Sequence, residues 1–469
     1  MQNSNEIDPT NLRTCILVIT RNKHAEILTI RDNGKFRLPR IEIPRWERPA
    51  SHLTREADAR WEIEAICLFR SKLIGQPAED CDSFCYVIEA RTVRETAHAD
   101  TVWLSVGEAL GCSAMAAGDA GILCSAICEA RGYQSGEVVA RFVRAGWFEE
   151  LTSWVADRLS VHALCLTGPW AQYTMGPDFS LFRFQTSAAP VWFKAVGGIN
   201  SAEFAITREL ARINSRFLPI MLDQNIEWRG WLTSEAPGHR LDETWNLRDW
   251  EAAAASLAAL QIESIPIADI LLAAGCRDVR VSQLATMIDP FLSVIADLMA
   301  AQSSSPPHIL TNADLFLIAT QLREGCNQLQ CVGLPPCLGH GDLNPGNVLV
   351  DSGHAVILDW AQATVGHPFY ACEYLLAVLR RLRPDLECWT SSILIAYLRP
   401  WREICSSEQI QQSLEWRTLM APFAYALQVL TLCSGGDGTG GYAAKLLRSL
   451  ARRLHDESVG RSKRLVSQS

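Results

Sequence analysis

The sequence His-Gly-Asp-Leu-Asn-Pro-Gly-Asn at residues 340–347, followed by Val-Ile-Leu-Asp-Trp at residues 356–360, decides how this chain is interpreted. Phosphoryl transfer needs a carboxylate that accepts the proton of the acceptor hydroxyl, and oxygen ligands that hold Mg²⁺ on the nucleotide phosphates. Asp342 is the candidate base. Asn347 and Asp359 are the candidate Mg²⁺ ligands, because both provide the hard oxygen atoms that this ion prefers.

The residues between these polar positions have the pattern of a β-hairpin. Residues 347–350 and 356–359 are predicted strands, and the Asp-Ser-Gly at residues 351–353 is a turn signal. Six fixed positions, at residue frequencies of roughly one in twenty, would rarely coincide by chance. The alternative is a capped loop in which the same polar side chains only form local turns.

Residues 339–360 resemble the catalytic and metal loops of the aminoglycoside phosphotransferase family, in which His-Gly-Asp-x-x-x-x-Asn precedes a hydrophobic strand and Asp-Trp. The resemblance implies a protein-kinase-like fold, the use of ATP and Mg²⁺, and transfer of the γ-phosphate to a hydroxyl of a small molecule. It also implies that His340 orients the catalytic loop and takes no part in acid–base chemistry.

The chain departs from this family after the metal loop. Family members often continue with Gly-Asp-Pro-x-x-Asp-Leu-Ala, where the second acid braces the loop. Residues 366–373 of this chain read Gly-His-Pro-Phe-Tyr-Ala-Cys-Glu, so that acid is missing unless Glu373 substitutes for it. We therefore expect the metal loop to be braced differently.

A kinase-like fold also requires a smaller, β-rich lobe upstream, with a lysine that steadies the nucleotide phosphates and pairs with a helix glutamate. Residues 181–184 and 191–196 are predicted strands joined by a turn, and Lys194 lies in the second strand. A lysine among such apolar residues is costly to bury without a partner. Lys194 is the candidate ATP lysine, and the alternative is a lysine at a strand edge exposed to water.

The partner of this lysine is expected on a helix predicted over residues 203–217. Glu203 and Glu209 compete for this role. The family pattern Glu-x-x-x-Thr-x-x-Leu favours Glu203, which is followed by Thr207 and Leu210. The alternative is that Glu203 is an ordinary first-turn acid favoured by the helix dipole.

The loop over the phosphates and the hinge are less clearly marked. Residues 167–178 contain no Gly-x-Gly-x-x-Gly signature, and residues 230–238 resemble a strand that leads into the hinge between the lobes. Main-chain groups of Ser234, Glu235 and Ala236 would then bind adenine.

The N-terminal third resembles a Nudix domain. Predicted strands at residues 15–20 and 25–30, a Leu-Pro pair and a helix at about residues 50–61 follow in the order of that fold. The defining box is G-x5-E-x7-R-E-U-x-E-E-x-G-U, where U is a bulky aliphatic residue. Four residues match it at the right spacing: Glu47, Arg55, Glu56 and Ile63.

The box is nevertheless degenerate. Its glycines and its paired metal-binding acids are replaced by Ile41, Ala59, Arg60 and Glu62. Because a methyl group and a cation in place of two carboxylates remove the charge that would gather a divalent metal, we expect a Nudix-like fold without hydrolase activity, serving as a binding or docking module. The alternative is an unrelated α/β domain.

The predicted fold class is α+β: a protein-kinase-like two-lobed fold preceded by a Nudix-like α/β/α sandwich. The Nudix-like domain is expected over residues 1–115, a helical connector over 116–160, the small lobe over 161–238 and the helical large lobe over 239–469. Within the connector, residues 138–159 have an apolar face at helical intervals, which predicts one packed helix.

Composition favours a cytoplasmic enzyme. The chain has 469 residues, of which 48% are hydrophobic and 20% charged, so it is ordinary globular sequence long enough for two or three domains. A net charge of −9 argues against nonspecific binding to nucleic acid or anionic membranes.

The N-terminus has no signal-peptide core, no uninterrupted apolar run has membrane-spanning length, and the sixteen cysteines lack zinc-type spacing. Oligomeric state is not indicated.

The sequence thus predicts a small-molecule kinase with an alcohol group as acceptor. One alternative is a non-catalytic, pseudokinase-like nucleotide-binding protein, and another is a Nudix-type nucleoside diphosphate hydrolase, which the missing acids oppose. Aminoglycoside, choline-like, homoserine-like and sugar acceptors are all open. Acceptor-lining residues are expected at about residues 242–260 and near Cys372, including Glu373 and Tyr374.

Overall fold

The structure, a computed structural model, describes residues 12–71, 83–94, 100–116, 118–135, 140–213, 215–433 and 440–468. It is a mixed α/β structure with two compact units. Unit 1 comprises Met1–Phe204 and Met221–Glu235, and unit 2 comprises Ala205–Ile220 and Ala236–Ser469.

Among the described residues, the first sheet of unit 1 has seven strands. They are β1 (Leu12–Arg21), β2 (Glu26–Asp32), β3 (Lys35–Arg37), β4 (Arg40–Pro44), β5 (Ile63–Ser71), β6 (Ser83–Val93) and β7 (Thr101–Ser105). The order across the sheet is β3-β2-β1-β6-β5, while β4 pairs with β1 and β7 pairs with β2. β1 and β2 form the predicted antiparallel hairpin, and β1 runs parallel to β6.

Both faces of this sheet are buried. The helices of this region are α1 (Pro49–Trp61), α2 (Val106–Gly111), α3 (Asp119–Ser135) and α4 (Trp147–Val161). Cys15, Leu17 and Ile19 of β1 pack in one core cluster with residues of α1. Ile16 and Val18, which point to the other face, pack in a second cluster with residues of α3 and α4. This layering agrees with the predicted sandwich, and its Nudix-like assignment stays a prediction.

The second sheet of unit 1 is antiparallel and carries Lys194. Its strands are β8 (Leu166–Thr174), β9 (Phe179–Thr186), β10 (Val191–Val196), β11 (Met221–Asn225) and β12 (Gly230–Ser234), and helix α5 (Ala202–Arg212) follows β10. Their order across the sheet is β11-β12-β10-β9-β8. The strands predicted at residues 181–184 and 191–196 are confirmed.

Two predicted helices have different bounds in the structure. Helix α5 ends at Arg212 and not at residue 217, because the Ser215 hydroxyl accepts the Phe217 N–H at 3.2 Å and turns the chain. The helix predicted over residues 138–159 begins only at Trp147, since Gly146 has φ +84°, a left-handed conformation that interrupts a helix. The described residues before it, from 140, keep their apolar side chains buried without forming an α-helix.

The N-terminal sandwich and the second sheet share one core cluster, which extends from Ile16 to Leu232. They are also joined at the edge strands β5 and β8. The Gln172 side chain donates to the Cys67 carbonyl at 2.8 Å and accepts the Cys67 N–H at 2.9 Å, and Trp170 Nε1 donates to Glu64 at 3.1 Å. The two parts of unit 1 are therefore packed as a single body.

Unit 2 is mainly helical. Its helices are α6 (Leu247–Ser264), α7 (Ala268–Ala274), α8 (Val281–Ala300), α9 (Asn312–Val332), α10 (Phe369–Leu382), α11 (Thr390–Trp401), α12 (Ser407–Cys433) and α13 (Gly440–Gln468). Its strands are β13 (His239–Arg240), β14 (Arg277–Val279), β15 (Cys337–His340), β16 (Val348–Asp351), β17 (His354–Ile357) and β18 (Ala363–Gly366). They form two small sheets, β13-β16-β17 and β14-β18-β15, and the main apolar core lies among α8, α9, α12 and α13.

Two helical stretches among the described residues, Leu247–Ala274 and Val281–Ala300, are long and apolar enough to cross a membrane when judged by length and composition alone. Polar residues such as Gln261 interrupt these stretches, so neither is an uninterrupted apolar run in the sequence. In the structure, Trp250 and Phe291 of these helices lie in the core. The absence of a membrane partner stays a prediction.

Candidate active site

The catalytic loop begins where β15 ends, at the buried residue His340. Its Nδ1 accepts the main-chain N–H of Asp342 at 3.2 Å, and its Nε2 donates to the carbonyl of Leu358 at 2.8 Å. The ring therefore carries its proton on Nε2 and connects the base-bearing loop to the segment before Asp359. These two bonds use both ring nitrogens, which fits an orienting role.

The carboxylate of Asp342 is partly buried and is held through one of its oxygens. Asn344 Nδ2 and the Tyr374 hydroxyl both donate to Oδ1, the latter at 3.2 Å. Burial and the neighbouring Asp342 raise the pKa of Tyr374, so its hydroxyl stays a donor. Among the described contacts, Oδ2 is the oxygen left to accept a further proton.

The candidate metal ligands lie at the open end of the β16–β17 hairpin. Val348 is in register with Ile357, and the Leu358 N–H donates to the Asn347 carbonyl at 2.8 Å. Asn347 Nδ2 donates to the Asp342 carbonyl at 3.0 Å, which leaves its amide oxygen as the candidate metal-ligating atom. The main chain thus joins the base and both candidate ligands.

Asp359 has an uncommon backbone conformation. Its φ of +63° lies in the left-handed region, which side-chain-bearing residues seldom adopt. Such strain persists only where the surrounding structure enforces it, and it is frequent at functional sites. The backbone of Asp359, a residue exposed to solvent, is therefore held in an uncommon conformation just after the hairpin.

The glycine of the His-Gly-Asp sequence is required by close packing. A Cβ added to Gly341 would lie 2.5 Å from the Gln362 carbonyl oxygen and 2.4 Å from Gln428 Oε1. The Gly341 N–H donates to the same Gln362 carbonyl at 3.1 Å. Any other residue would push the loop away from these neighbours, and Asp342 with it.

The ion pair predicted for the small lobe is confirmed. Lys194, in the middle of β10, contacts Glu203 with 2.6 Å between Nζ and Oε1, and the two side chains are 14% and 2% exposed. Nζ also lies 5.8 Å from the centre of the Trp231 ring and 5.5 Å from that of Phe179. The competing acid, Glu209, pairs instead with Arg208 and Arg212. The role of Lys194 and Glu203 in binding a nucleotide stays a prediction.

The predicted hinge residues lie where the two units divide, between Glu235 and Ala236. The Glu235 N–H donates to the Pro190 carbonyl at 3.0 Å, so this group is not available to an adenine. The Glu235 carboxylate binds Arg183 at 2.5 and 3.0 Å and Trp192 Nε1 at 2.9 Å, and these hydrogen bonds lower its pKa. Ser234 ends β12 opposite Val191. The main chain of Ser234, the Glu235 carbonyl and the main chain of Ala236 stay the predicted adenine contacts.

Glu373, the acid that could have replaced the missing brace, is bound by three arginines from three helices. Its carboxylate is 1% exposed and accepts hydrogen bonds from Arg380 at 3.1 Å, Arg417 at 2.9 Å and Arg453 at 3.5 Å. It therefore stabilises the packing of α10 against α12 and α13.

The acids of the degenerate N-terminal box are paired with cations. Glu47 contacts His52 and lies 3.8 Å from Arg55, while Glu56 pairs with Arg60 at 2.8 Å. Arg60 therefore pairs with Glu56, which matches the box, and Arg60 itself occupies the position of one of the metal-binding acids of the box. In the described part of the chain, no group of three or more His, Cys, Asp or Glu side chains could hold a metal ion.

Sequence reasoning assigned no role to two side chains that contact the catalytic loop. Asn344 lies inside the motif, two residues after Asp342, and that spacing was an available signal. Gln428 comes from α12, more than eighty residues later, and its only signal was a single amide in the apolar stretch of residues 421–433.

A comparison with known protein families finds one match. Residues 310–386 match the sequence model described as the phosphotransferase enzyme family. The matched segment includes Asp342, Asn347 and Asp359, and it excludes Lys194 and Glu203. The match supports an enzyme of the phosphotransferase class. No curated protein matches the chain significantly.

Solved structures similar to this chain include the macrolide 2'-phosphotransferase MphH from Brachybacterium faecium, the choline kinase LicA from Streptococcus pneumoniae and an ethanolamine kinase from Plasmodium vivax. Their sequence identities are 17%, 12% and 13%, and their TM-scores are 0.43, 0.41 and 0.43. The matches cover 64%, 66% and 64% of this chain and 98%, 99% and 83% of those chains. At TM-scores below 0.5 this similarity establishes neither fold nor activity.

The donor set suits Mg²⁺ on a nucleotide. Mg²⁺ commonly takes one or two protein oxygen ligands and completes its octahedron with waters and substrate phosphates. The amide oxygen of Asn347 and the carboxylate of Asp359 are of this kind, and the hydrogen bond from Asn347 Nδ2 to Asp342 fixes which end of that amide faces outward.

Proposed function

We propose that this chain is an ATP- and Mg²⁺-dependent phosphotransferase that moves the γ-phosphate to a hydroxyl of a small molecule. The observation that carries the proposal is the set of hydrogen bonds that joins His340, Asp342, Asn347 and Leu358 within the segment that matches the phosphotransferase family. A capped loop with no chemical role would not need to fix both the base and the metal-ligand candidates.

In this proposal Asp342 accepts the proton of the acceptor hydroxyl at Oδ2. The acceptor oxygen then bonds to the γ-phosphorus, the bond to the β–γ bridging oxygen breaks, and ADP leaves. Because Asn344 and Tyr374 hold Oδ1, the carboxylate keeps one orientation during the step. Mg²⁺, when bound, neutralises charge on the phosphates, and Asn347 and Asp359 are the residues that would hold it.

Lys194 would bind the nucleotide phosphates in the same reaction. Its side chain is 14% exposed, and the contact with the Glu203 carboxylate fixes the position of its ammonium group. This geometry supports a phosphate-binding role better than that of a lysine at an exposed strand edge, whose side chain would be mobile and hydrated.

The test combines nucleotide binding with a substrate screen. ATP affinity is measured with and without Mg²⁺, and ADP formation is measured against a library of alcohols that includes aminoglycosides, sugars, choline-like and homoserine-like compounds. We expect Mg²⁺ to strengthen ATP binding, and ADP to form only when an acceptor alcohol is present.

Two results would contradict the proposal. Tight ATP binding that ignores Mg²⁺, with no turnover for any alcohol, would identify a non-catalytic nucleotide-binding protein. Hydrolysis of nucleoside diphosphate compounds without an acceptor would identify the N-terminal domain as the active part.

A further inference from the structure

A cavity of about 30 Å³ lies behind the catalytic loop, within unit 2. His340 and Gly341 of the loop form one wall, and Ala371 of α10 and Gln428 of α12 contribute to the others. Ala371 stands five residues after Gly366, at the position of the second acid in Gly-Asp-Pro-x-x-Asp. The cavity is therefore found beside the residue that replaces the bracing carboxylate.

Among the polar side chains that line this cavity, three have an atom without a hydrogen-bond partner among the described residues. These atoms are His367 Nε2, the Tyr370 hydroxyl and Gln428 Oε1. Their residues are 6%, 8% and 6% exposed. Three unsatisfied polar atoms around one small space are unusual, because nearly all buried polar groups in proteins are hydrogen-bonded to protein or to ordered water.

The protonation states of the three groups define what could bind them. His367 Nδ1 accepts the Phe369 N–H at 3.3 Å, and burial lowers the pKa of His367 to about 3, so the ring is neutral and Nε2 is a donor. Burial raises the pKa of Tyr370, whose hydroxyl can donate or accept. Gln428 Oε1 only accepts. A bound molecule that accepts a hydrogen bond from His367 Nε2 and donates one to Gln428 Oε1 would complement these atoms, and the Tyr370 hydroxyl can take either role.

Water has these properties and the right size. One water molecule requires roughly 10–15 Å³ of such space and two to four polar partners. The cavity has room for one or two water molecules. An ion would be a poor fit, since none of the three groups carries a charge.

We propose that a water molecule bound by His367, Tyr370 and Gln428 braces the catalytic loop, beside the position at which the family pattern has its second acid. Gln428 lies directly against Gly341, so its orientation determines where the residue before Asp342 can lie. The three side chains are thus positioning residues, and their effect on turnover rests on the proposed phosphotransferase function.

A stability comparison tests the cavity without using activity. Ala371→Asp would place a carboxylate among the His367 and Tyr370 donors, whereas Ala426→Asp, at a fully buried position in the apolar core of unit 2, would find none. We expect the first variant to melt within about 3 °C of the parent and the second to lose more than about 10 °C or to fail to fold. Equal destabilisation of both variants would overturn the proposal.

A kinetic comparison tests the bracing role. Tyr370→Phe and Gln428→Met are expected to lower kcat about 10-fold without changing the KM of ATP or acceptor, while Tyr442→Phe, at a position 74% exposed, has no effect. Adding Ala371→Asp to Gln428→Met is expected to restore kcat.

Two kinetic outcomes would contradict the proposal that a bound water braces the catalytic loop. A rise in acceptor KM at unchanged kcat would show that the cavity binds the acceptor hydroxyl, and unchanged kinetics in both variants would show that it braces nothing. If the parent protein turns over ATP with no alcohol at all, the proposed function fails, and the melting comparison still decides whether the cavity holds donors for a carboxylate.

Discussion

The chain contains two segments whose sequences point to phosphate chemistry, and they differ in how their polar side chains are held. Just before α1, Glu47 contacts His52 and lies 3.8 Å from Arg55, and on α1 Glu56 pairs with Arg60 at 2.8 Å. In the loop of residues 340–359, His340 and Asn347 bond to main-chain groups, and the Asp342 carboxylate accepts from the side chains of Asn344 and Tyr374.

The difference separates the proposed metal-binding loop from the degenerate box of the N-terminal segment. An acid paired with an adjacent cation has lost the net charge that attracts a divalent ion, and an exposed pair of this kind contributes only about 0–1 kcal/mol to stability. The described hydrogen bonds to the Asp342 carboxylate come from neutral groups, which orient it without adding a positive charge. The local contacts of an acid therefore tell more about its chemistry than its match to a motif does.

The largest expected effect is at the metal loop. Asp359→Ala removes one of the two candidate Mg²⁺ ligands and should lower kcat about 1000-fold, since electrostatic stabilisation of the transferring phosphate is lost. Asp351→Asn, at the exposed turn of the same hairpin, is the matched control and should keep parental activity. ADP formation at several Mg²⁺ concentrations measures both. Equal activity of the two variants would remove the metal site from the account.

The next effect concerns Lys194. Lys194→Met should raise the KM of ATP at least about 10-fold, because the phosphates lose this cation. Removing one side of the buried Lys194–Glu203 pair should also lower the free energy of unfolding by about 3–5 kcal/mol. Lys35→Met, at an exposed position of unit 1, is the control. ATP titration and thermal unfolding measure the two consequences separately. A folded Lys194→Met protein with parental ATP affinity would show that the ion pair is only structural.

A substitution of Gln172 tests whether the contact between the N-terminal sandwich and the second sheet contributes to the stability of the protein. Gln172→Ala leaves the N–H and carbonyl of Cys67 buried without partners, which should cost about 2–4 kcal/mol in unfolding free energy. Gln283→Ala, exposed on α8, should cost almost nothing. Urea unfolding of both variants gives the values. A cost below about 0.5 kcal/mol at Gln172 would mean that the sandwich is not joined to the second sheet as described.

The smallest effect is expected at α1. Glu56→Gln breaks the pair with Arg60 and should change neither ADP formation nor the dependence on Mg²⁺, with a stability change of at most about 1 kcal/mol. Steady-state kinetics and thermal unfolding are sufficient to measure it. Loss of activity here, comparable to that of Asp359→Ala, would reverse the comparison of the two segments.

The β10 strand and the hairpin that precedes Asp359 follow from alternating hydrophobic residues and from turn signals a few residues apart. The Lys194–Glu203 pair was implied by the family resemblance, whose pattern Glu-x-x-x-Thr-x-x-Leu favoured Glu203 over Glu209. The start of α4 was misplaced because periodicity of apolar residues continued through Gly146, where the backbone is left-handed.

The contacts that the sequence did not reveal join residues far apart in the chain. Glu373 meets arginines of α12 and α13, Gln172 completes strand β5, and Gln428 packs against Gly341. Such contacts depend on the packing of whole helices and sheets, which a periodic pattern does not specify. The exchange of the bracing acid for Ala371 was visible in the sequence, whereas what surrounds that position was not.

The most direct test of the account is Asp342→Asn, measured for ATP binding in the presence of Mg²⁺ and for single-turnover transfer to an acceptor found in the alcohol screen. Because this side chain acts on the acceptor and not on the nucleotide, transfer should fall at least about 100–10,000-fold while ATP affinity stays within a few-fold of the parent. Loss of ATP binding, or transfer at the parental rate, would contradict the assignment of Asp342 as the base.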